Sequence, residues 1–297
     1  MRLDGRIALV SGGSQGIGET TASRLAAEGA NVMVVASSNL GKAAAVVAKL
    51  PGGPGRHMAA VCDVRNAAAT DKLAEEAMKR FGRIDILVNN AGVMALAKRG
   101  TTVDGFETQF ATNYLSHFAL TGHLLPLLVA AKARVVQLSS TVHRGATIHF
   151  DDLNYTQGYK AWPVYSQSKL AMLMFALELD RRSEANGWGI TSVAAHPGVA
   201  ATDLPNNGPN VGANRFVSWA TSTAARMLGH SAADGALPQL MAATMPGVKG
   251  GQYFGPQGWK EYKGPPGPGK IDRSALDREA AARLWAESEK LTGGSFR

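Results

Sequence analysis

The sequence predicts a doubly wound α/β fold, in which helices cover both faces of a mostly parallel, seven-stranded sheet. Short apolar runs rich in β-branched residues alternate with amphipathic helical stretches along most of the 297 residues. This alternation is typical of parallel sheets that are buried on both faces. A glycine-rich turn also separates the first apolar run from the first helical stretch. The composition, 45% hydrophobic and 18% charged, is that of a folded globular chain.

Each element is predicted from its own run of residues. Strands are expected at 7–10, 32–35, 59–61, 84–88, 135–138 and 190–194, with a possible seventh at 252–254. Helices are expected at about 16–28, 42–50, 67–81 and 104–131, around Tyr165, and at about 274–291. The Pro- and Gly-rich stretch 264–269 is interpreted as a link to a C-terminal appendage, about 264–297, and not to a second domain. Residues 1–297 are therefore expected to form one domain.

Composition excludes several classes of protein. The net charge of +8 comes from scattered basic residues without a long basic run, which argues against nucleic-acid binding and fits attraction to an anionic cofactor. No apolar run reaches the roughly 18–20 residues of a membrane span. Strand-like sequence begins by Arg6, which leaves no room for a signal peptide. The single cysteine, Cys62, favours a reducing, cytoplasmic location, and the seven histidines show no metal-binding spacing.

The turn after the first predicted strand reads Ser11-Gly12-Gly13-Ser14-Gln15-Gly16-Ile17-Gly18. Glycines allow the backbone to turn sharply and to approach a pyrophosphate at a helix N-terminus. The spacing is G-x-x-x-G-x-G and not G-x-G-x-x-G. Between a strand and a helix this turn predicts a dinucleotide-binding loop, with an ordinary glycine turn as the alternative.

Tyr165 and Lys169 are four residues apart, so on a helix they share one face about one turn apart. An unperturbed tyrosine has a pKa near ~10. A cation held beside the phenol favours the phenolate, so the hydroxyl can exchange a proton near neutral pH. With a dinucleotide loop, the pair predicts hydride transfer to or from an alcohol or carbonyl compound, although a surface pair has the same spacing.

Together with Asn89-Asn90-Ala91-Gly92 and Tyr165-x-x-x-Lys169, the glycine-rich turn makes the chain resemble the short-chain dehydrogenase/reductase family, which has a Rossmann fold. The resemblance covers nearly the whole chain. Locally, Phe150-Asp151-Asp152-Leu153-Asn154 and His196-Pro197-Gly198-Val199 are similar to the retinol-dehydrogenase-like and WW-domain-oxidoreductase-like branch.

The resemblance implies four catalytic residues. Tyr165 is the general acid/base, and Lys169 holds the nicotinamide ribose and lowers the pKa of the tyrosine. Ser140 hydrogen-bonds the substrate oxygen, with Ser139 as the alternative if the alignment shifts by one residue. Asn113 supports a water-mediated proton path to Lys169. Ser140 and Tyr165 are 25 residues apart, longer than in many members, and an inserted loop of this kind is usual in the retinol-like branch.

The resemblance also implies a cofactor site. Its expected residues are Gly12, Ser14, Gln15, Gly16, Ile17, Gly18, Ser37, Ser38, Asp63 (at the adenine), Val64, Asn90, Ala91, Gly92, Tyr165, Lys169, Pro197, Gly198, Val199 and Thr202. NAD-dependent enzymes place a carboxylate about 20 residues after the loop. That position is Ser37 here, and the arginine common in NADP-using relatives is absent from Ser38. Without a carboxylate to repel a 2′-phosphate, NADP is favoured over NAD.

Substrate and assembly are expected from the family. The segment about 203–229 is expected to cover the substrate, and Phe216, Val217 and Trp219 suggest an apolar lid, with a surface helix as the alternative. The run Met172-Leu173-Met174-Phe175 is either core or a subunit interface, which motivates a homo-oligomer, a dimer or tetramer.

The expected activity is interconversion of an apolar alcohol and its ketone or aldehyde, with NADP or NAD. Two alternatives remain open at this point. One is a non-catalytic dinucleotide sensor, which would tolerate loss of Tyr165 or Lys169. The other is an enzyme that reduces activated C=C bonds with the same tyrosine–lysine pair.

Overall fold

The computed structural model describes residues 2–64, 66–199, 231–294 and 296. These residues form an eight-stranded sheet in the order β3-β2-β1-β4-β5-β6-β7-β8, in which all neighbours are parallel except β7 and β8. The strands are β1 (Ile7–Ser11), β2 (Asn31–Ala36), β3 (Met58–Val61), β4 (Ile86–Asn89), β5 (Arg134–Leu138), β6 (Thr191–Ala195), β7 (Tyr253–Pro256) and β8 (Pro266–Pro268). The predicted doubly wound, mostly parallel α/β fold is therefore confirmed.

Helices connect the strands. The longer ones are α1 (Gly16–Ala27), α2 (Leu40–Lys49), α3 (Ala67–Phe81), α4 (Thr108–His123), α5 (Leu125–Ala131), α6 (Ala161–Asn186), α7 (Leu237–Thr244) and α8 (Arg278–Thr292). One-turn helices lie at Gly53–Arg56 and Ala232–Gly235, and 3₁₀ turns at Thr141–His143, Trp259–Glu261 and Arg273–Leu276.

Alternate side chains of each strand enter two apolar layers, one on each face of the sheet. Leu9 and Leu87 pack on the face covered by α4, α6 and α8. Val10 and Val88 pack on the opposite face, with α1, α2 and α7. This period of two, with apolar residues at every position, explains why the strands have continuous apolar sequences.

The sheet has one strand more than predicted. The stretch 264–269, interpreted from sequence as a linker, contains β8, which pairs antiparallel with β7 through Gly255 and Gly267. The prolines argued against a strand here, because proline has no N–H group to donate to a β-ladder. Prolines are tolerated at a sheet edge, where β8 lies.

The single helix expected over about 104–131 is two helices, which meet at a bend of 65°. Pro126 occupies the first turn of α5, where its missing N–H needs no partner and the helix α4 cannot continue through it. Within α4, residues Ala111–Leu115 form a turn of π-helix. Such turns are frequent at functional sites, and this one contains Asn113.

Helix α8 packs on α6. Trp285 is buried, with its ring centroid 5.0 Å from that of Phe118 and 5.7 Å from that of Phe175. Arg182 lies 4.3 Å above the Trp285 ring. The predicted run Met172 to Phe175 is buried within this one chain, as core. The expected homo-oligomer stays a prediction, and this run no longer motivates it.

No single helix in the described ranges is long and apolar enough to cross a membrane. The bent pair α4 and α5 meets the requirement by length and composition only.

Candidate active site

A cleft opens at the carboxyl ends of the central strands, where the strand order reverses between β1 and β4. In open α/β sheets this is the crevice in which ligands bind. The cleft has a cavity volume of about 710 Å³. Its size and position fit a dinucleotide and a substrate in one site.

The glycine-rich turn forms one wall of the cleft. A Cβ atom on Gly18 would lie 2.2 Å from the carbonyl oxygen of Gly12, and a Cβ on Gly12 would lie 2.9 Å from the Cα of Ala91. Gly12 also has a φ of +65°. Helix α1 begins here, and its N-cap residue, Gln15, makes no side-chain hydrogen bond to the first turn. First-turn N–H groups without a side-chain cap suit a bound pyrophosphate.

Ser11 ties this turn to the end of β4. Its hydroxyl oxygen accepts hydrogen bonds from the backbone N–H groups of Asn90 (2.9 Å) and Ala91 (3.0 Å). The side-chain amide of Asn90 donates to the carbonyl oxygen of Ser11 at 2.8 Å. The ring of His117 lies 3.1 Å from the same hydroxyl. The two backbone segments expected to hold the cofactor are thus fixed to each other.

The predicted cofactor residues that the structure describes all line this cleft. They are Gly12, Ser14, Gln15, Gly16, Ile17, Gly18, Ser37, Ser38, Asp63, Val64, Asn90, Ala91, Gly92, Tyr165, Lys169, Pro197, Gly198 and Val199. Thr202 and the segment 203–229, with its expected lid, lie outside the described residues.

Tyr165 and Lys169 project from α6 into the cleft and are both largely buried. The Lys169 nitrogen lies 5.8 Å from the centre of the Tyr165 ring and donates a 3.0 Å hydrogen bond to the carbonyl oxygen of Leu138. The side chain of Ser140 lies near the Tyr165 hydroxyl, and both residues line the cleft. The Ser140 and Tyr165 hydroxyls can therefore contact one substrate oxygen.

Burial raises the pKa of Tyr165 to about 12, and the nearby Ser140 side chain offsets only part of this effect. From the sequence, Lys169 was expected to lower this pKa. The structure gives the opposite direction, because the removal of the phenol from water outweighs the other effects on its pKa. Burial also lowers the pKa of Lys169, to about 8, which weakens its hold on a proton.

The geometry favours Ser140 over Ser139 as the substrate-binding serine. The hydroxyl of Ser139 donates a 2.7 Å hydrogen bond to the backbone carbonyl oxygen of Lys169, which secures α6 to the end of β5. Ser140, in contrast, reaches Tyr165.

Asn113 lies beneath the cleft and does not line it. Its side-chain oxygen accepts from the backbone N–H of Val93 at 2.8 Å, and its amide donates to the carbonyl oxygen of Val93 at 2.9 Å. The amide also lies 2.9 Å from the hydroxyl of Ser168, between Tyr165 and Lys169 on α6. Asn113 thus joins the Gly92 turn to α6, and the expected proton path through it stays a prediction.

The far end of the cleft holds the residues that would contact the adenosine part of a cofactor. Ser37, Ser38 and Lys42 line it, together with Asp63. Asn39 caps α2, its side-chain oxygen accepting from the N–H of Lys42 at 3.1 Å. Within the described part of the wall Asp63 is the only carboxylate, and position 37 presents a hydroxyl.

Several residues that line the cleft were not predicted from the sequence. Trp162 is half exposed, and its ring centre lies 6.0 Å from that of Tyr165. It precedes Tyr165 by three residues, so helical spacing gave a signal for it. Met94 and Val142 add apolar surface. Thr112, beside Asn113, has a buried hydroxyl oxygen without a hydrogen-bond partner among the described residues.

No group of three or more His, Cys, Asp or Glu side chains that could hold a metal ion occurs within 2–64, 66–199 and 231–294.

Comparisons with known proteins agree with this geometry. The family described as short chain dehydrogenase matches residues 6–209. The chain is 37% identical to retinol dehydrogenase 13 of Homo sapiens over 297 residues. The aligned region covers 98% of this chain and 86% of that protein. It is 36% identical to polyprenol dehydrogenase of Mus musculus over 302 residues, in an alignment that covers 97% of this chain and 84% of that protein. A short chain dehydrogenase from Burkholderia cenocepacia J2315, solved in complex with NADP, superposes on this chain with a TM-score of 0.65 at 27% sequence identity. The superposition covers 85% of this chain and 96% of that one.

Proposed function

The chain belongs to the short-chain dehydrogenase family, and from this premise we propose that it interconverts an apolar alcohol and its ketone or aldehyde, with NADP as cofactor. Ser140, Tyr165 and Lys169 meet at one end of a cleft whose other wall is the glycine-rich turn. This juxtaposition carries the proposal, because reactions of this kind need a proton donor beside a cofactor site.

The cleft suits the cofactor. The uncapped start of α1 and the close approach of Gly12 and Gly18 to their neighbours leave room for a pyrophosphate. Gly92 and Val199 would border the nicotinamide, and Lys169 would hold its ribose. When bound, the nicotinamide supplies or accepts the hydride.

The residues of the chain handle the proton. In carbonyl reduction, the Tyr165 hydroxyl donates its proton to the substrate oxygen as negative charge develops there. The Ser140 hydroxyl donates a hydrogen bond to the same oxygen and stabilises that charge. The Lys169 ammonium favours the phenolate that Tyr165 leaves behind, and it is held in place by the carbonyl oxygen of Leu138.

The preference for NADP rests on charge. Ser37 cannot repel a 2′-phosphate as a carboxylate would, and Ser38 and Lys42 supply a hydroxyl and a cation at the same wall. The structurally similar Burkholderia cenocepacia protein was solved with NADP.

The substrate end supports an apolar compound. Trp162, Met94 and Val142 line the same cleft as Tyr165 and Ser140, and the Trp162 ring centre lies 6.0 Å from that of Tyr165. The similar proteins named for retinol and polyprenol act on apolar alcohols. The substrate class proposed is therefore a lipophilic alcohol or its carbonyl compound.

Titration of the purified protein with NADPH and NADH, followed by nicotinamide fluorescence, tests the proposal. Aldehydes, ketones and activated alkenes of increasing chain length are then added. We expect tighter binding of NADPH and its oxidation by a lipophilic aldehyde or ketone. Binding without turnover of any compound would favour a dinucleotide sensor, and oxidation only by alkenes would favour a C=C reductase. Binding of neither nucleotide would overturn the proposal.

A further inference from the structure

A buried ionic cluster lies outside the cleft, behind the loop that carries Ser140. The carboxylate of Glu261 is 2.5 Å from the Arg144 guanidinium and 2.9 Å from the ring nitrogen Nε2 of His196, both at its Oε2 atom. Its other oxygen accepts from the backbone N–H of Lys270 at 3.2 Å. Glu261 is 8% exposed. Burial favours the neutral acid, but His196 and Arg144 outweigh it and hold the pKa of Glu261 at about 2.

The partners of Glu261 belong to two active-site segments. Arg144 follows Ser140 in the loop after β5, and its N–H donates to the carbonyl oxygen of Thr141 at 3.2 Å. His196 directly follows β6 and precedes Pro197. Its Nδ1 atom accepts from the N–H of Gly198 at 3.2 Å, so its Nε2 carries the proton donated to Glu261.

The loop that carries Glu261 also touches the second segment through its backbone. The N–H of Val199 donates to the carbonyl oxygen of Tyr262 at 2.8 Å. A Cβ on Gly198 would lie 2.3 Å from that oxygen, so only glycine permits this approach. The loop therefore packs directly behind the residues that border the nicotinamide end of the cleft.

This contact holds the loop in a costly conformation. Lys260 and Glu261 have φ angles of +50° and +59°, which are unfavourable for residues other than glycine. Such backbone strain persists only where surrounding contacts enforce it, and it is common beside functional sites. The bonds to Arg144, His196 and Lys270 supply that enforcement.

We propose that Glu261 is a positioning residue, which holds the Ser140 loop through Arg144 and the Pro197–Val199 turn through His196 in the arrangement needed for hydride transfer. The C-terminal part of the chain thereby controls the geometry of a site built by the strands before it. The inference rests on the proposed function for its kinetic consequence, but its structural consequence can be measured without substrate.

The variant Glu261→Gln removes the charge and keeps the size of the side chain. Glu178→Gln is the matched control, because Glu178 is equally buried, pairs with Arg181 and Arg182, and lies on α6 away from the cleft. Amide hydrogen exchange is compared for residues 140–144 and 198–199. Where turnover is found, kcat and KM are measured separately for NADPH and the carbonyl substrate.

For Glu261→Gln we expect exchange at Gly198 and Val199 to rise about tenfold or more, since opening of the turn becomes easier. We expect kcat to fall about 10- to 100-fold, as small misplacements of reacting groups cost this much. Glu178→Gln should match the wild type in both measurements. Arg144→Gln should raise amide exchange at residues 140–144 and reduce kcat. If Glu261→Gln does not fold, Arg144→Gln by itself tests whether the cluster positions the Ser140 loop.

Exchange and kcat for Glu261→Gln within about twofold of the Glu178→Gln values would overturn the positioning role. If the wild type turns over no substrate, the proposed function fails and the exchange comparison still decides whether Glu261 holds the two segments. Unchanged exchange with a reduced kcat would also overturn the inference as stated, since the effect would then not arise from positioning.

Discussion

The side-chain amide of Asn113 lies 2.9 Å from the hydroxyl of Ser168 and donates to it, joining a π-helical turn in α4 to the helix that carries Tyr165 and Lys169. The same side chain accepts a hydrogen bond from the backbone N–H of Val93 and donates one to its carbonyl oxygen. The turn at Val93 and helix α6 are therefore fixed to each other through one buried side chain.

Replacement of Asn113 by alanine should destabilise the protein by about 2 kcal/mol, because the partly buried Val93 N–H and carbonyl groups lose their partners. Urea unfolding measures this change. Asn113→Asp, which can still accept from Val93 N–H, is the conservative comparison and should lose less. An alanine variant as stable as the wild type would show that Asn113 does not join these elements.

Tyr165 should carry its proton throughout the neutral range in the cofactor-free protein, since burial raises its pKa to about 12. The difference in phenolate absorbance between the wild type and Tyr165→Phe isolates this residue from the other five tyrosines. We expect no phenolate signal from Tyr165 between pH 7 and about 10. A signal that titrates near pH 7 without cofactor would contradict the structure and restore the expectation drawn from sequence.

Lys169→Met should stabilise the fold at neutral pH and abolish turnover. The folded-state pKa of Lys169, about 8, is below its ordinary value of 10.5, so the unfolded chain binds more protons between these values. Wild-type stability should therefore rise with pH across this window, by up to about 3 kcal/mol. The advantage of Lys169→Met, measured by urea unfolding, should shrink from pH 7 to pH 10. A variant less stable than the wild type at pH 7 would be the contrary result.

The neighbouring serines offer a matched pair. Ser140→Ala should reduce kcat about 10²- to 10³-fold, the usual effect of losing one donor to a developing oxyanion. Ser139→Ala should cost about 1 kcal/mol of stability through the lost bond to Lys169, with a much smaller effect on kcat. Steady-state kinetics with thermal unfolding distinguishes them, and the reverse pattern would transfer the substrate-binding role to Ser139.

Ser37→Asp should exchange the cofactor preference. A carboxylate at this wall repels a 2′-phosphate and can accept hydrogen bonds from a ribose hydroxyl. We expect the Kd for NADPH to rise at least about tenfold and that for NADH to fall, with Lys42→Ala weakening NADPH alone. Fluorescence titration gives both constants. An unchanged ratio of the two Kd values would place the determinant of preference elsewhere.

Local patterns predicted the strands, the glycine-rich turn and the Tyr165–Lys169 face, because each depends on residues close in sequence. The π-helical turn at Asn113 was not predictable, since its sequence suits an ordinary helix. Strand β8 was missed because Pro266 and Pro268 are typical of linkers. They belong to a strand here because this segment pairs with the outer edge of β7, a contact distant from local sequence patterns.

The Glu261 cluster was beyond sequence reasoning for a different reason. Arg144, His196 and Glu261 come from three separate segments, and nothing local pairs them. The direction of the Tyr165 pKa was also missed, because the spacing to Lys169 gives proximity but not burial. Sequence thus located the candidate site, and tertiary packing sets its electrostatics.

Transfer of deuterium from NADPH that carries deuterium at both C4 positions of the nicotinamide follows the proposed hydride itself. The labelled cofactor is incubated with a lipophilic aldehyde and either the wild type or Tyr165→Phe, and the alcohol is analysed by mass spectrometry. We expect one deuterium on the carbinol carbon with the wild type. With Tyr165→Phe, which keeps the ring and the cofactor wall, we expect a rate lower by about 10²- to 10⁴-fold. Equal rates of labelled product from both proteins, or no labelled alcohol from a wild type that binds NADPH, would refute hydride transfer with Tyr165 as the proton donor.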